Sequence, residues 1–190
     1  TAPGPRLHHL AGPQDVLAAA TLLLLLPQTP LLFQGQEFLA STPFLYFTDH
    51  NPELGRMVTE GRREEFAGFA AFADPGMRER IPDPQAERTF RDSVLRLDEA
   101  ERGIGALAAE YHRDLLRLRS EDPLLRAARR GRPELRTSIE ERALVVGIEG
   151  DAGRRWLALN LGERDCRVPV PGLASSLDVV IFSDDVRYGG

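Results

Sequence analysis

Three side chains stand out for the chemistry they could perform: Glu37, Asp49 and His50. Glu37 ends a polar run, Gln34, Gly35, Gln36 and Glu37, directly after the apolar Leu31, Leu32 and Phe33. A short apolar run without alternation reads as a strand covered on both faces. The carboxyl end of such a strand is where barrels and open α/β sheets bind substrate. The same pattern also fits a core strand followed by an ordinary polar loop. Asp49 and His50 follow an aromatic-rich segment, Phe38 to Phe47, interrupted by Pro43. Rings stack on sugar faces while carboxylates and imidazoles hydrogen-bond hydroxyls, so these residue types suit carbohydrate binding. They suit a packed loop equally well, because Asx capping is common at a turn such as the one before Pro52.

Other reactive residues read as structural. Arg6, His8 and His9 sit in a Pro- and Gly-rich start, Thr1 to Pro13, that reads as loop. Adjacent histidines do not share a helix face as i and i+4 ligands would, so solvent or local hydrogen bonds account for them. Arg62 and Arg63 fit a solvated helix face, and Trp156 fits a strand core better than a sugar platform. The single cysteine, Cys166, allows no internal disulfide and no multi-thiolate metal site, which suits a reducing, cytoplasmic setting. No metal site and no cofactor is indicated. A net charge of -5 argues against nucleic acid as a partner, which demands a cationic surface. With 42% hydrophobic and 28% charged residues the chain is globular rather than disordered.

The elements that must position Glu37 begin at Ala18. The run AAATLLLLLPQTPLLFQGQE, from Ala18 to Glu37, reads as buried helix, tight turn at Pro27 and Pro30, then buried strand. Its apolar stretch of about ten residues before Pro27 falls well short of the roughly 20 that span a bilayer, so no membrane span is expected. Pro13, Gln14 and Asp15 start that helix, which runs to Leu26. Pro52 to Phe72 reads as helix with a core stripe at Phe66, Phe69 and Phe72. Asp74 to Ala86 reads as a long irregular loop. Roughly Glu101 to Arg119 is amphipathic, with Ile104, Leu107, Ala108, Tyr111, Leu115 and Leu118 on one face.

The basic tract from Arg126 to Arg136 reads as a solvated linker. Beyond it the period changes to short β-branched runs, Arg142 to Ile148, Arg155 to Leu161, Cys166 to Val170 and Leu177 to Phe182, separated by Gly, Asp, Asn and Pro. A domain boundary is therefore expected between Gly131 and Ser138. The N-terminus has no cationic start before an apolar core and no initiating methionine. Both ends read as cut from something longer.

At this point a resemblance becomes specific. LLLLLPQTPLLFQGQEF resembles the seventh helix and eighth strand of the α-amylase family, glycoside hydrolase family 13. The continuation STPFLYFTDHNPELGRMVTEGRREEFAGF, with IPDPQAERTF, is similar to the maltooligosyltrehalose trehalohydrolases within it. Glycogen branching enzymes are close relatives that share the strand motif. The resemblance implies an α/β plus all-β fold class: residues 1–130 as the last helix-strand-helix part of a (β/α)8 TIM barrel, and residues 131–190 as a C-terminal antiparallel β-sandwich.

It also implies a retaining hydrolase that cleaves the α-1,4 bond beside the terminal trehalose unit of maltooligosyltrehalose, with a paired nucleophile and acid/base. Those carboxylates follow barrel strands absent from this sequence, so no catalytic residue is assigned here. The resemblance marks Glu37, Asp49 and His50 as substrate-binding positions, and the remaining N-terminal part of the same enzyme as the partner. A structural salt bridge at the barrel mouth is the other reading of Glu37. A branching transferase and a non-catalytic carbohydrate-binding or structural module are the competing functions.

Overall fold

The computed structural model describes residues 4–69, 76, 81–131, 133–167, 170 and 177–190. Among these, the helices are α1 (Leu7–Ala11), α2 (Pro13–Leu25), α3 (Pro52–Ala67), α4 (Glu87–Ser93), α5 (Gly103–Glu121) and α6 (Pro123–Arg130). Three strands follow, β1 (Glu134–Glu140), β2 (Ala143–Gly150) and β3 (Gly153–Asn160). They form one antiparallel sheet in the order β1-β2-β3, with Val146 opposite Leu157 and Ile148 opposite Arg155. Single 3-10 turns occupy Gln36–Phe38, Leu97–Glu101 and Val186–Tyr188.

The leucine block is a helix, as its composition requires. Pro13 stands in its first turn, where a missing N–H costs nothing, and Asp15 faces the positive end of the dipole. The helix stops at Leu25 because Leu26 precedes Pro27 and is held at ψ 154° in extended backbone. Val16, Leu17, Ala20, Leu24 and Leu25 are buried. They join Ala108, Tyr111 and Leu115 of α5, Leu124, Leu125 and Ala128 of α6, Val146 and Ile148 of β2, and Leu157 of β3 in one continuous core.

Two polar contacts lock this core. The carbonyls past the end of α2 need partners, since a helix leaves its last C=O groups unpaired. Arg119, only 7% exposed, donates to the Leu24 carbonyl and to those of Leu26 (2.6 Å) and Gln28 (2.7 Å). Asp122 caps α6 by accepting the Leu125 N–H at 3.0 Å and pairs with Arg155 of β3 at 2.7 Å, tying helix to sheet.

The structure corrects several expectations. Leu31–Phe33 form no strand, and Leu31 is 87% exposed. A strand needs hydrogen-bonded neighbours, and none of the described residues supplies one. Residues 7–11, expected as loop, close one helical turn. The basic tract is not a linker over Pro123–Arg130: α6 buries Leu124, Leu125 and Ala128 while its arginines face outward. Glu134–Glu140, on the expected boundary, is strand β1. The described β residues make a single three-stranded sheet, without a second layer. Cys166, Arg167 and 177–182 are not strand, while Val168 and Pro169 lie outside the described residues. Phe72 and most of Asp74 to Arg80 also lie outside them.

Arg119→Met should lower unfolding stability by about 3 kcal/mol, because it leaves three carbonyls without a charged donor. Arg117→Met, which loses only an exposed pair with Asp114, should change it by less than about 1 kcal/mol. Equal urea midpoints for the two variants would show that Arg119 does not cap α2.

Candidate functional site

Glu37 lies at the centre of a tight double turn. Gly35 opens it at φ +79° and Leu39 closes it at φ +53°, a left-handed conformation unusual for a side chain with a Cβ. The Ala40 N–H donates to the Gly35 carbonyl at 2.8 Å and the Leu39 N–H to that of Gln36 at 3.2 Å. From one side Arg6 holds the turn, donating Nε to the Thr42 carbonyl and Nη1 to the Gln34 carbonyl, each at 2.7 Å. From the other, Glu99 accepts the Ser41 N–H (2.9 Å) and hydroxyl (2.6 Å), which holds its carboxyl below the usual carboxylate range. Helix α5 approaches so closely that a Cβ at Gly105 would stand 2.1 Å from the Glu99 carbonyl oxygen and 3.0 Å from that of Phe38.

Glu37 itself is half-buried, and its carboxylate makes no hydrogen bond among the described residues. Its charge acts on two buried bases, Arg6 and His112. Burial pushes the His112 imidazole below its ordinary value of 6.5, against opposing effects from the Ala108 carbonyl and Glu37. The contact of His112 Nδ1 with the Ala108 carbonyl, 2.8 Å, requires the N–H on Nδ1. That leaves Nε2 as a buried acceptor with no partner. Burial likewise lowers Arg6 from its ordinary value, with Glu37 opposing.

Asp49 and His50 are both exposed, and their side chains make no hydrogen bond among the described residues. The loop beneath them is fixed instead by Gln85. Its amide accepts the His50 N–H at 3.1 Å and the Thr48 hydroxyl at 2.6 Å, and donates to the His50 carbonyl at 2.9 Å. The helix cap expected here is Asn51, which accepts the Leu54 N–H at 3.0 Å. Arg62 of α3 lies over the Tyr46 ring at 4.6 Å and the Phe66 ring at 5.1 Å.

The cleft adjoining the Glu37 turn is lined by Arg6, His8, Phe33, Gln36, Leu39 and Phe44 among others, without Asp49 or His50. Sequence reasoning singled out Glu37 and read Arg6 as a loop residue, and it did not single out His112, Arg119 or Gln85. His112 and Arg119 do fall on the apolar stripe of α5, beside Ala108 and Leu115, which is the signal that marks them as buried. Gln85 leaves no such trace.

Helices packed on an antiparallel sheet in this arrangement superimpose on a solved structure described as an alpha amylase from Salmonella typhimurium. The TM-score is 0.77 at 36% identity, over 91% of this chain and 29% of that one. The chain is thus of the α-amylase class. No protein-family model matches it. It is 48% identical over 160 residues, 84% of its length, to the malto-oligosyltrehalose trehalohydrolase of Deinococcus radiodurans, and 35% identical over its whole length to that of Rhizobium sp. strain M-11. The chain belongs to the malto-oligosyltrehalose trehalohydrolase family and matches the C-terminal portion of these relatives. It spans 26% and 30% of their respective lengths.

The buried bases predict a pH dependence. Below about pH 6.5 the unfolded chain binds protons that folded His112 and His8 resist, so stability is complete above that pH and falls as acid is added. His112→Gln, which still offers a donor to the Ala108 carbonyl, should flatten this acid limb between about pH 7 and pH 5. Urea unfolding at several pH values measures it, and an unaltered slope would mean that His112 protonates freely in the folded chain.

Proposed function

We propose that this chain is the C-terminal part of a retaining α-glycosidase that hydrolyses the α-1,4-glucosidic bond next to the terminal trehalose unit of maltooligosyltrehalose, releasing trehalose. The observation that carries the reading is the 48% identity over 84% of the chain to a protein named for that reaction. In this reading residues 1–130 complete the barrel and residues 131–190 form the appended β domain. The exposed Leu31–Phe33 segment becomes the eighth strand once the preceding strands of the same polypeptide pair with it. The exposed apolar side chains of Leu31 and Phe33 support this, since such surface ordinarily marks a contact.

The nucleophile and acid/base then reside on that preceding part, and this chain supplies the rim. Glu37, half-buried on a rigid turn with its lone pairs unengaged, accepts glucosyl hydroxyls. Asp49 and His50 extend the rim on a loop fixed by Gln85. Nothing about these contacts calls for a cofactor. The single cysteine is exposed, and no helix among the described residues is long and apolar enough to cross a membrane; a cytoplasmic enzyme of trehalose production fits both.

Incubating maltooligosyltrehalose with a polypeptide that joins this chain to its preceding barrel strands should yield free trehalose. New branch points without trehalose would assign a transferase instead, and no bond cleavage would leave a binding module. In the active polypeptide Glu37→Gln should lower kcat/KM by about tenfold or more, the loss of one hydrogen bond to a charged group. Unchanged kinetics would remove Glu37 from the substrate site.

A further inference from the structure

Helix α5 carries a titratable side chain into the interior beneath the Glu37 turn. Gly105, Ala108, His112, Leu115 and Arg119 lie on its buried face. Gly105 meets the turn directly, since a Cβ there would stand 3.0 Å from the Phe38 carbonyl oxygen. Leu39, which closes the turn, enters the core together with Ala108 and Leu115. His112 follows Gly105 by two helical turns on that same face and is 2% exposed.

The imidazole is anchored at one nitrogen only. Nδ1 turns back along the helix and donates to the Ala108 carbonyl at 2.8 Å. Nε2, on the far side of the ring, therefore projects away from α5, and it is buried without a partner. Native structures hold few such groups, and each calls for an explanation. The half-buried Glu37 carboxylate is likewise without a hydrogen bond among the described residues.

As they stand, the two groups cannot satisfy each other. A neutral imidazole with its proton on Nδ1 offers a lone pair at Nε2, and a carboxylate offers only lone pairs. One added proton changes this, because an Nε2–H on the imidazolium donates to a carboxylate in a charge-assisted hydrogen bond. Burial resists that proton and the Glu37 charge favours it, with burial the larger effect.

Other elements packed on α5 also bring charges, but those charges are exposed or engaged. Asp15 of α2, Asp98 and Glu101 of the 97–101 turn, and Arg126, Arg129 and Arg130 of α6 are exposed. Glu99 is held by Ser41, Asp122 by Arg155, and Arg187 by Asp185, while Asp114 accepts the Tyr188 hydroxyl. Arg119, on α5 itself, is committed to the carbonyls past α2. Among the charged groups of the described residues, Glu37 is the one whose field acts on His112.

We propose that His112 is a proton-operated positioning residue for Glu37. With His112 neutral, the Glu37 carboxylate stays available to a substrate hydroxyl; a proton taken from solvent onto Nε2 draws the carboxylate inward into an ion pair. The substrate side of this rests on the role given to Glu37 above, whereas the coupling of the two side chains rests on the geometry of α5 and its turn.

The coupling is tested in the full 190-residue chain by following its imidazole resonances against pH, with the His112 signal identified by its loss in His112→Gln. His112 should titrate in the folded chain below about pH 6.5, and Glu37→Gln should move that titration to still lower pH. A titration indifferent to Glu37→Gln, or one seen only as the chain unfolds, would overturn the proposal. Positioning is tested in the polypeptide that joins this chain to its preceding barrel strands. There the KM for maltooligosyltrehalose should rise about threefold or more between about pH 7 and pH 5, and His112→Gln, measured against its own value at about pH 7, should lose that rise. Trehalose release with a KM profile unaltered by His112→Gln would sink the positioning role and leave the enzymatic reading intact. Coupled titration in the chain, combined with no trehalose release by the longer polypeptide, would do the reverse and leave the proton-linked pair standing.

Discussion

The structure depends on satisfying backbone carbonyls where an apolar helix is forced to stop. Pro27 ends the leucine helix at a buried Leu24 and Leu25, where its last carbonyls have no next turn to bond. Arg119 reaches from α5, more than ninety residues away, and its planar donors serve the carbonyls of Leu24, Leu26 and Gln28 together. Lysine could not substitute, because a compact ammonium lacks the spread of donors that this fan of oxygens requires. A second arginine repeats the solution one turn further on: Arg6 holds the carbonyls of Gln34 and Thr42 and so fixes both ends of the turn that carries Glu37. Two buried guanidinium groups thus set the path of the whole irregular segment from residue 26 to residue 42.

The sheet is coupled to this assembly through the same core rather than through an independent one. Val146, Ile148 and Leu157 face the leucines of α2 and the side chains of α6, while Asp122 simultaneously caps α6 and pairs with Arg155. Asp122 is 9% exposed, so its charge would be costly without that partner. Both of its oxygens are used, one by a helix N-terminus and one by a guanidinium. The junction between helices and strands is accordingly a stiff one.

What the sequence made legible follows from how local each cause is. The start and stop of α2 were readable because Pro13 and Pro27 act on their own neighbours. The stripe of α5 and the strands β2 and β3 were readable because periodicity is a local signal. β1 was not, since Glu134–Glu140 is polar and almost wholly exposed and becomes a strand only by pairing with β2. α6 was hidden by its arginines, which mask a buried face only two turns long. The strand expected at Leu31–Phe33 failed for the opposite reason: its pattern calls for neighbours on both edges, and the described residues contain none. Among the candidate residues, Glu37, Asp49 and His50 stand out by type, whereas Gln85 and Arg119 reach their partners across 35 residues or more and no local pattern announces those partners.

The placement of Glu37 shows why the turn is built against local preference. Leu39 adopts a left-handed backbone that costs about 1 kcal/mol or more for a residue with a Cβ. Such a conformation persists only where its surroundings leave no alternative. Here Arg6, the Ser41–Glu99 pair, the Gly35 carbonyl and the close approach of Gly105 all constrain the same few residues, and Leu39 is itself buried at 5% exposure. A turn needed only to reverse the chain could use glycine at both ends and relax. A strained turn held from four sides instead delivers a half-buried carboxylate at a fixed position, within electrostatic reach of the buried Arg6 and His112. In the function proposed above, that rigidity is what would hold the Glu37 carboxylate in place for a substrate hydroxyl.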